Sequence, residues 1–267
     1  MHAFEYLRAD GLKQAGDWLR QHPEARPLSG GMTLVPSLKH RLAQVSHLVD
    51  LSRLGELRGI ERQGNTLRIG AGMRHDEVAS DTQVRSAIGA LAHLAGLIGD
   101  PQVRARGTLG GSVANNDPAA DYPAAVLALS ATIHTNRRSI PADKFFTGLY
   151  ETALKPGEII TSVEFPLPKR AAYVKFKQPA SRFALVGVFV SEGGGQVRVA
   201  VTGAANSVFR LKDMEKKLGE KFAPEAIAKV KVSADKLNSD LHAAADYRAH
   251  LISVLAQRAV GEALGGK

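Results

Sequence analysis

The chain has 267 residues, a hydrophobic fraction of 44% and a formal net charge of +9, so its length fits one large globular domain or two of moderate size. It contains no cysteine, which excludes disulfides, zinc–thiolate sites and iron–sulfur clusters with cysteine ligands. No apolar run reaches the roughly 18 residues of a membrane span, and the charged residues Glu5, Arg8 and Asp10 do not fit a signal peptide. We therefore expect a cytoplasmic protein that is held near the inner membrane face only through partners.

The first 168 residues predict two α/β units. Residues 1–55 predict a helix that begins after Asp10, a short strand at 26–28, a helix from Leu34 and a strand at 47–51. Residues 56–168 predict a hairpin of strands 57–60 and 66–69 with its turn at 63–65, then one helical stretch from Asp76 to about residue 98. An apolar helix over 121–129 and a strand over 159–165 follow. Together these units form a predicted first domain, 1–168.

The remaining residues, 169–267, predict a separate α+β domain after the linker at 166–168. Alternating and apolar runs indicate three antiparallel strands, at 173–176, 184–190 and 196–202. Three helical stretches follow, at 211–218, 224–230 and 247–264.

Two glycine pairs lie in segments that run from strand-like or loop-like residues into helix-like residues. The first glycine motif comprises Ser29, Gly30, Gly31, Met32, Thr33, Leu34, Val35 and Pro36, and the second comprises Thr108, Leu109, Gly110, Gly111 and Ser112. Glycine permits positive φ and a close approach of the backbone to a ligand, and successive amides at such a turn bind anions. Two such segments therefore indicate a ligand with a pyrophosphate and a long body, whereas the alternative is two ordinary tight turns.

The residues around these motifs resemble a known family. The resemblance extends over residues 4–6, 99–112, 117–123, 175–188, 242 and 246–248. Together these residues resemble the FAD-binding medium subunit of the molybdenum hydroxylases, a family that includes carbon monoxide dehydrogenase and xanthine dehydrogenase. The resemblance implies an α/β (α+β) fold: a two-part FAD-binding domain of the vanillyl-alcohol-oxidase type, followed by a C-terminal domain of antiparallel sheet and helices.

The resemblance also implies site residues. The first motif would surround the pyrophosphate and adenosine of FAD, although Ser29 and Met32 depart from the alanine and the polar residue common there. The second motif would form the facing part of the site. Asp121, 13 positions after Thr108, would contact ribityl or ribose hydroxyls, with an N-cap role as the alternative. Either Lys175 or Lys177 would approach the flavin, unless both are exposed sheet lysines.

By the same resemblance, the chain is an electron-transfer subunit that binds FAD without a covalent link. Molybdopterin would be held by a large partner subunit and the iron–sulfur clusters by a small one, in a dimer of heterotrimers. The chain would supply no catalytic acid, base or nucleophile, and the nine histidines do not cluster at metal-ligand spacing. Its final electron acceptor would be NAD, a quinone or oxygen.

Two other functions remain open at this point. One is a stand-alone FAD-dependent reductase of the same fold. The other is a non-enzymatic basic binding module, as the net charge alone would permit. Nucleic acid is not the expected partner, because the basic residues between 210 and 236 alternate with acidic ones and aromatic residues make up only 6% of the chain.

Overall fold

The computed structural model describes residues 1–265, which form a mixed α/β structure. Among those residues the strands, numbered along the chain, are β1 (Glu5–Arg8), β2 (Arg26–Leu28), β3 (His47–Asp50), β4 (Ile60–Gln63), β5 (Thr66–Gly70), β6 (Thr132–Thr135), β7 (Ser139–Pro141), β8 (Phe146–Gly148), β9 (Glu151–Thr152), β10 (Ile160–Pro166), β11 (Arg170–Lys177), β12 (Ala184–Gly193), β13 (Gln196–Thr202) and β14 (Phe209–Arg210).

The α-helices of the same residues are α1 (Leu12–Gln21), α2 (Leu34–Lys39), α3 (His75–Ser80), α4 (Thr82–Ala87), α5 (Gly89–Gly96), α6 (Pro101–Arg104), α7 (Leu109–Asn115), α8 (Tyr122–Ala128), α9 (Lys212–Glu220), α10 (Pro224–Ile227) and α11 (Ala245–Gly265). None of these helices is long and apolar enough to cross a bilayer.

The N-terminal unit is a three-stranded parallel sheet in the order β1-β3-β2, with α1 packed on it. Ala15 and Leu19 of α1 and Val49 of β3 share one small core, as the apolar stripe of this helix predicts. The carboxyl end of β2 leads directly into the first glycine motif, which therefore lies at the edge of this sheet.

The second unit has a five-stranded antiparallel sheet in the order β4-β5-β10-β6-β7. Helices α3, α4, α5, α7 and α8 supply most of the helical part of its core, in which α8 is buried along its whole length. The second glycine motif forms the start of α7 and contacts the end of β5.

The C-terminal residues form a four-stranded antiparallel sheet in the order β11-β12-β13-β14, covered by α9, α10 and α11. Tyr173, Phe189 and Ala200 of this sheet belong to the core of the preceding unit, so the two parts share buried surface. The domain boundary near residue 168 stays a prediction, because the packing is continuous across it.

Several predicted elements differ from those in the structure. The single helical segment predicted from Asp76 is three helices. The Asp81 carboxylate caps α4 and separates it from α3, and the non-helical backbone of Ile88 separates α4 from α5. The first hairpin strand begins at Ile60 rather than at residue 57, since residues 55–57 form a 3₁₀ turn. The short strands β6 to β9 were not predicted, because each has too few residues to show an alternating pattern.

Candidate dinucleotide-binding site

A cavity of about 510 Å³ lies between the N-terminal unit, the second unit and the start of the C-terminal sheet. Both glycine motifs line it. The predicted site residues at its surface are Ser29, Gly30, Gly31, Met32, Thr33, Leu34, Thr108, Gly110, Gly111, Ser112 and Asp121. Val35 and Pro36 instead belong to α2, and Leu109 is fully buried in the core.

The first motif presents a row of backbone amides. The N–H groups of residues 30 to 34 donate to no acceptor among residues 1–265, although the carbonyls of Gly31 and Thr33 accept from Val35 and Ser37. Gly31 has a φ of +72°, a conformation that glycine adopts without strain. Five consecutive free amides along a cavity form an anion-binding concavity, which we call the amide row (residues 30–34).

The two motifs touch each other. A Cβ atom on Gly30 would lie 2.1 Å from the carbonyl oxygen of Arg106, so only glycine permits this approach. The hydroxyl groups of Ser29 and Thr108 are hydrogen-bonded at 3.0 Å. Ser29, where the resemblance leads one to expect alanine, therefore connects the motifs in this chain.

The second motif has no comparable row of amides. The N–H groups of Leu109 and Gly110 donate to the carbonyls of Met73 and Ala71, and that of Gly111 donates to the Thr108 hydroxyl, which caps α7. A Cβ on Gly110 would lie 2.5 Å from the Cβ of Ala71. These glycines permit close packing of a helix start against β5, and they do not form the open turn that the sequence predicted.

Asp121 is 4% exposed and lies at the cavity surface. Its carboxylate accepts a hydrogen bond from the Tyr173 hydroxyl at 2.5 Å and pairs with the Lys175 ammonium at 2.9 Å. Burial raises the pKa of Asp121, and the adjacent Lys175 and Tyr173 oppose that effect by stabilising the carboxylate. Asp121 precedes α8 but makes no side-chain cap, so the N-cap alternative is wrong.

The two candidate lysines occupy different environments. The side chain of Lys175 is only 2% exposed, and its ammonium donates to Asp121 and to the carbonyl of Leu97. Lys177, two residues along the same strand, is exposed. Neither lysine lines the cavity itself, but Lys175 is paired with Asp121, which does. Burial and the ion pair with Asp121 therefore distinguish Lys175 from Lys177, which their spacing in the sequence did not.

Sequence reasoning missed several residues that line the cavity. His75 is 5% exposed, and its burial, assisted by the positive charge of Arg104, lowers its pKa to about 4, so the imidazole is neutral. Tyr150, Arg182 and Phe183 line the mouth. In the sequence His75 indicated only the start of a helix. Tyr150, Arg182 and Phe183 lie outside helices and strands, where no periodic pattern could identify them as site residues.

These features fit a dinucleotide better than a mononucleotide or a metal. The amide row suits a pyrophosphate, and the same cavity is lined by residues of all three parts of the chain, among them Arg26, Asp121 and Phe183. Within residues 1–265, no three His, Cys, Asp or Glu side chains are grouped to hold a metal ion. The fold and the cavity thus define a dinucleotide-binding α/β protein that lacks a Rossmann motif.

Comparisons with known proteins identify the family. Residues 2–168 match the family model described as the FAD binding domain in molybdopterin dehydrogenase. The chain is 34% identical to the carbon monoxide dehydrogenase medium chain of Hydrogenophaga pseudoflava, covering 97% of this chain and 96% of the relative. It is also 34% identical to the nicotine 6-hydroxylase medium subunit of Paenarthrobacter nicotinovorans, covering 98% and 97%.

The fold agrees with that relationship. The chain superimposes on the crystal structure of quinoline 2-oxidoreductase from Pseudomonas putida 86 with a TM-score of 0.91 and 29% identity, over 99% of this chain and 98% of the other. The chain belongs to the family of FAD-binding domains of molybdopterin dehydrogenases. This confirms the resemblance and the fold class predicted from the sequence.

Proposed function

We propose that this chain is the FAD-binding electron-transfer subunit of a molybdenum hydroxylase. The observation that supports it most directly is the amide row at a cavity of about 510 Å³ in a chain of this family. FAD, when bound, supplies reversible one- and two-electron redox chemistry, so the protein has to bind and orient it and adjust its electrostatic surroundings.

The amide row would bind the pyrophosphate. Backbone donors aimed at phosphate oxygens need no side-chain charge, and residues 30–34 include no cation. No described residue accepts a hydrogen bond from these amides, so they are free to donate to phosphate oxygens. An amide that is shielded from water is stabilised by any acceptor oxygen that reaches it. The link would be non-covalent, because the chain has no cysteine that could form a thioether to the flavin.

The opposite side of the cavity would hold the flavin end. Asp121 fixes the ammonium of Lys175, and two acceptors, Asp121 and the Leu97 carbonyl, use two of its three donors. A held positive charge beside the cavity stabilises negative charge that develops on a ligand there. We therefore assign this role to Lys175 and not to Lys177.

The chain would work only with partners. With no cysteine, it cannot hold iron–sulfur clusters itself, so these would belong to a small subunit, and molybdopterin to a large one. The named relatives are medium chains or subunits, which agrees with a three-part assembly. We extend this to a dimer of heterotrimers in the cytoplasm, with the net charge of +9 aiding association with acidic partner surfaces.

The experiment is purification of the native complex through a tag on this chain. We expect two companion chains, one with molybdopterin and one with iron–sulfur clusters, and FAD that acid precipitation releases completely. The full chain produced alone should retain FAD and accept electrons from dithionite, yet oxidise no substrate of the complex.

Three results would contradict the proposal. Flavin that stays in the acid pellet would show covalent attachment, and FMN in the supernatant would exclude the dinucleotide. A chain that elutes alone from native extract and turns over a substrate unaided would make it a stand-alone flavoenzyme.

A further inference from the structure

A short hairpin stands at the mouth of the cavity. Strands β8 and β9 are joined by the two-residue turn of Leu149 and Tyr150, whose side chains are 50% and 56% exposed. Only Tyr150 of this pair lines the cavity. Its φ of +55° is uncommon for a residue other than glycine, so the surrounding structure holds the turn in this conformation.

Asn116 supplies that hold. It is fully buried, follows α7 directly, and has a φ of +43°. Its side-chain amide donates to the carbonyls of both Gly148 and Glu151, each at 2.8 Å, and so ties the two ends of the turn. The hairpin is thereby fixed to the helix that begins with the second glycine motif.

A second contact orients the tyrosine ring. The Tyr150 hydroxyl lies 3.4 Å from a carboxylate oxygen of Asp117, while the other oxygen accepts from the amide of Ala119. Partial burial and the nearby carboxylate raise the pKa of Tyr150, so its hydroxyl stays protonated and can donate. Asp117 and Asp121 both line the cavity, and Asp121 pairs with Lys175, which we assign to the flavin end.

We propose that Tyr150 is an aromatic cover over the flavin end of the cavity and that Asn116 is the positioning residue that holds it there. This inference rests on the proposed FAD site. A flat aromatic ring beside a ring system adds contact surface and excludes solvent. The neighbouring Leu149 is not among the residues that line the cavity. The cover would limit the access of small solutes to the bound ring, while electrons from a docked partner need no such access.

The test uses the full chain loaded with FAD and measures quenching of flavin fluorescence by iodide. Tyr150→Ala should raise the quenching constant several-fold and raise the FAD dissociation constant about tenfold, or about 1.4 kcal/mol. Tyr150→Phe keeps the ring but loses the contact with Asp117, and should raise the quenching constant much less than Tyr150→Ala. Leu149→Ala is the matched control, since it changes the other half of the same turn without touching the cavity.

Asn116→Asp then tests the positioning role. It keeps the size of the side chain but replaces the two donated hydrogen bonds with repulsion against two carbonyls. The iodide quenching constant should rise as in Tyr150→Ala, and combining the two changes should add little. A loss of thermal stability with unchanged quenching would make Asn116 purely structural and overturn that part.

The outcomes separate this inference from the proposed function. If the parent chain binds no FAD, the proposed function is wrong, and the role of Tyr150 as a cover over the flavin is wrong with it. If every variant binds FAD and iodide quenches Tyr150→Ala no more than Leu149→Ala, the FAD site stands and the cover is wrong.

Discussion

The two sides of the cavity carry similar glycine pairs but use them differently. The first wall (residues 28–34) leaves five consecutive amides without protein acceptors, whereas in the second wall (residues 107–121) the amides of Leu109, Gly110 and Gly111 donate to protein oxygens. In the first wall glycine exposes the backbone to a ligand, and in the second it lets a helix start pack on Ala71. One sequence pattern thus serves ligand contact on one side and support on the other.

The second wall is also where buried charge is concentrated. Asp121 of this wall and its partner Lys175 are almost completely enclosed. The buried His75 packs against Gly107 of the same wall, and a Cβ atom on Gly107 would lie 2.5 Å from the imidazole Nε2. The first wall contains no ion pair of this kind among the described residues. We therefore expect changes in the second wall to affect folding and changes in the first wall to affect affinity for FAD.

The largest effect is expected for Asp121→Ala. It leaves the Lys175 ammonium buried without its carboxylate, which costs about 3–5 kcal/mol of unfolding free energy. Denaturant unfolding of the FAD-free chain measures it. The double variant Asp121→Leu/Lys175→Met should recover most of the loss, because an apolar pair of similar volume replaces the ion pair.

The exposed pair of Lys217 and Glu220 provides the control. Glu220→Ala should change the unfolding free energy by less than about 1 kcal/mol. If Asp121→Ala instead leaves stability intact and only weakens FAD binding, Asp121 acts as a ligand contact, and the distinction between the walls fails at this residue.

The second effect is a dependence of stability on pH. The folded pKa of His75, about 4, lies below its unfolded value of 6.5, so this group contributes stability above pH 6.5 that is lost as the pH falls towards 4. Between about pH 7.5 and pH 5 the loss should be about 2 kcal/mol. Denaturant unfolding at both pH values measures it.

His75→Gln removes the titrating group and should flatten this dependence. His93, which is exposed, provides the matched control for replacing a histidine by glutamine. An equal slope in His75→Gln and the parent would mean that His75 titrates normally and does not support the second wall as a neutral group.

The third effect compares the glycines directly. Gly110→Ala places a methyl group against Ala71 and should lower the unfolding free energy by about 1–3 kcal/mol. Gly31→Ala meets a φ of +72° and strains the amide row by about 1–3 kcal/mol, and we expect most of that cost as weaker FAD binding. FAD titration and denaturant unfolding of both variants give the comparison.

Gly89→Ala controls for substitution in a helix with open space around it. It should change neither quantity appreciably. If Gly110→Ala lowers FAD affinity at unchanged stability, the second motif contacts the ligand as the sequence suggested.

The smallest effect concerns the contact between the walls. Ser29→Ala removes the hydrogen bond to Thr108 and should cost about 0.5–1.5 kcal/mol of unfolding free energy. Thr108→Ser keeps both this bond and the α7 cap and serves as the control. A loss in Thr108→Ser as large as in Ser29→Ala would assign the effect to the methyl group of threonine.

Much of the architecture followed from periodicity and apolar runs. The stripe of α1, the apolar run of α8 and the three long strands of the last sheet were predicted because each pattern is set by neighbours in sequence. The element bounds shifted where side-chain caps decided them, as Asp81 does for α4. The family relationship was also readable, since the second glycine motif and its surroundings are specific.

Other features depended on contacts that no local pattern encodes. The sequence alone determined that two glycine segments and two lysines were candidates. Only the tertiary structure decided that Gly110 packs against Ala71 and that Lys175 and not Lys177 is enclosed. It also decided that Asn116 is hydrogen-bonded to both ends of the turn that carries Tyr150. The reason is physical: the availability of an amide or the burial of a charge is set by atoms that lie tens of residues away along the chain.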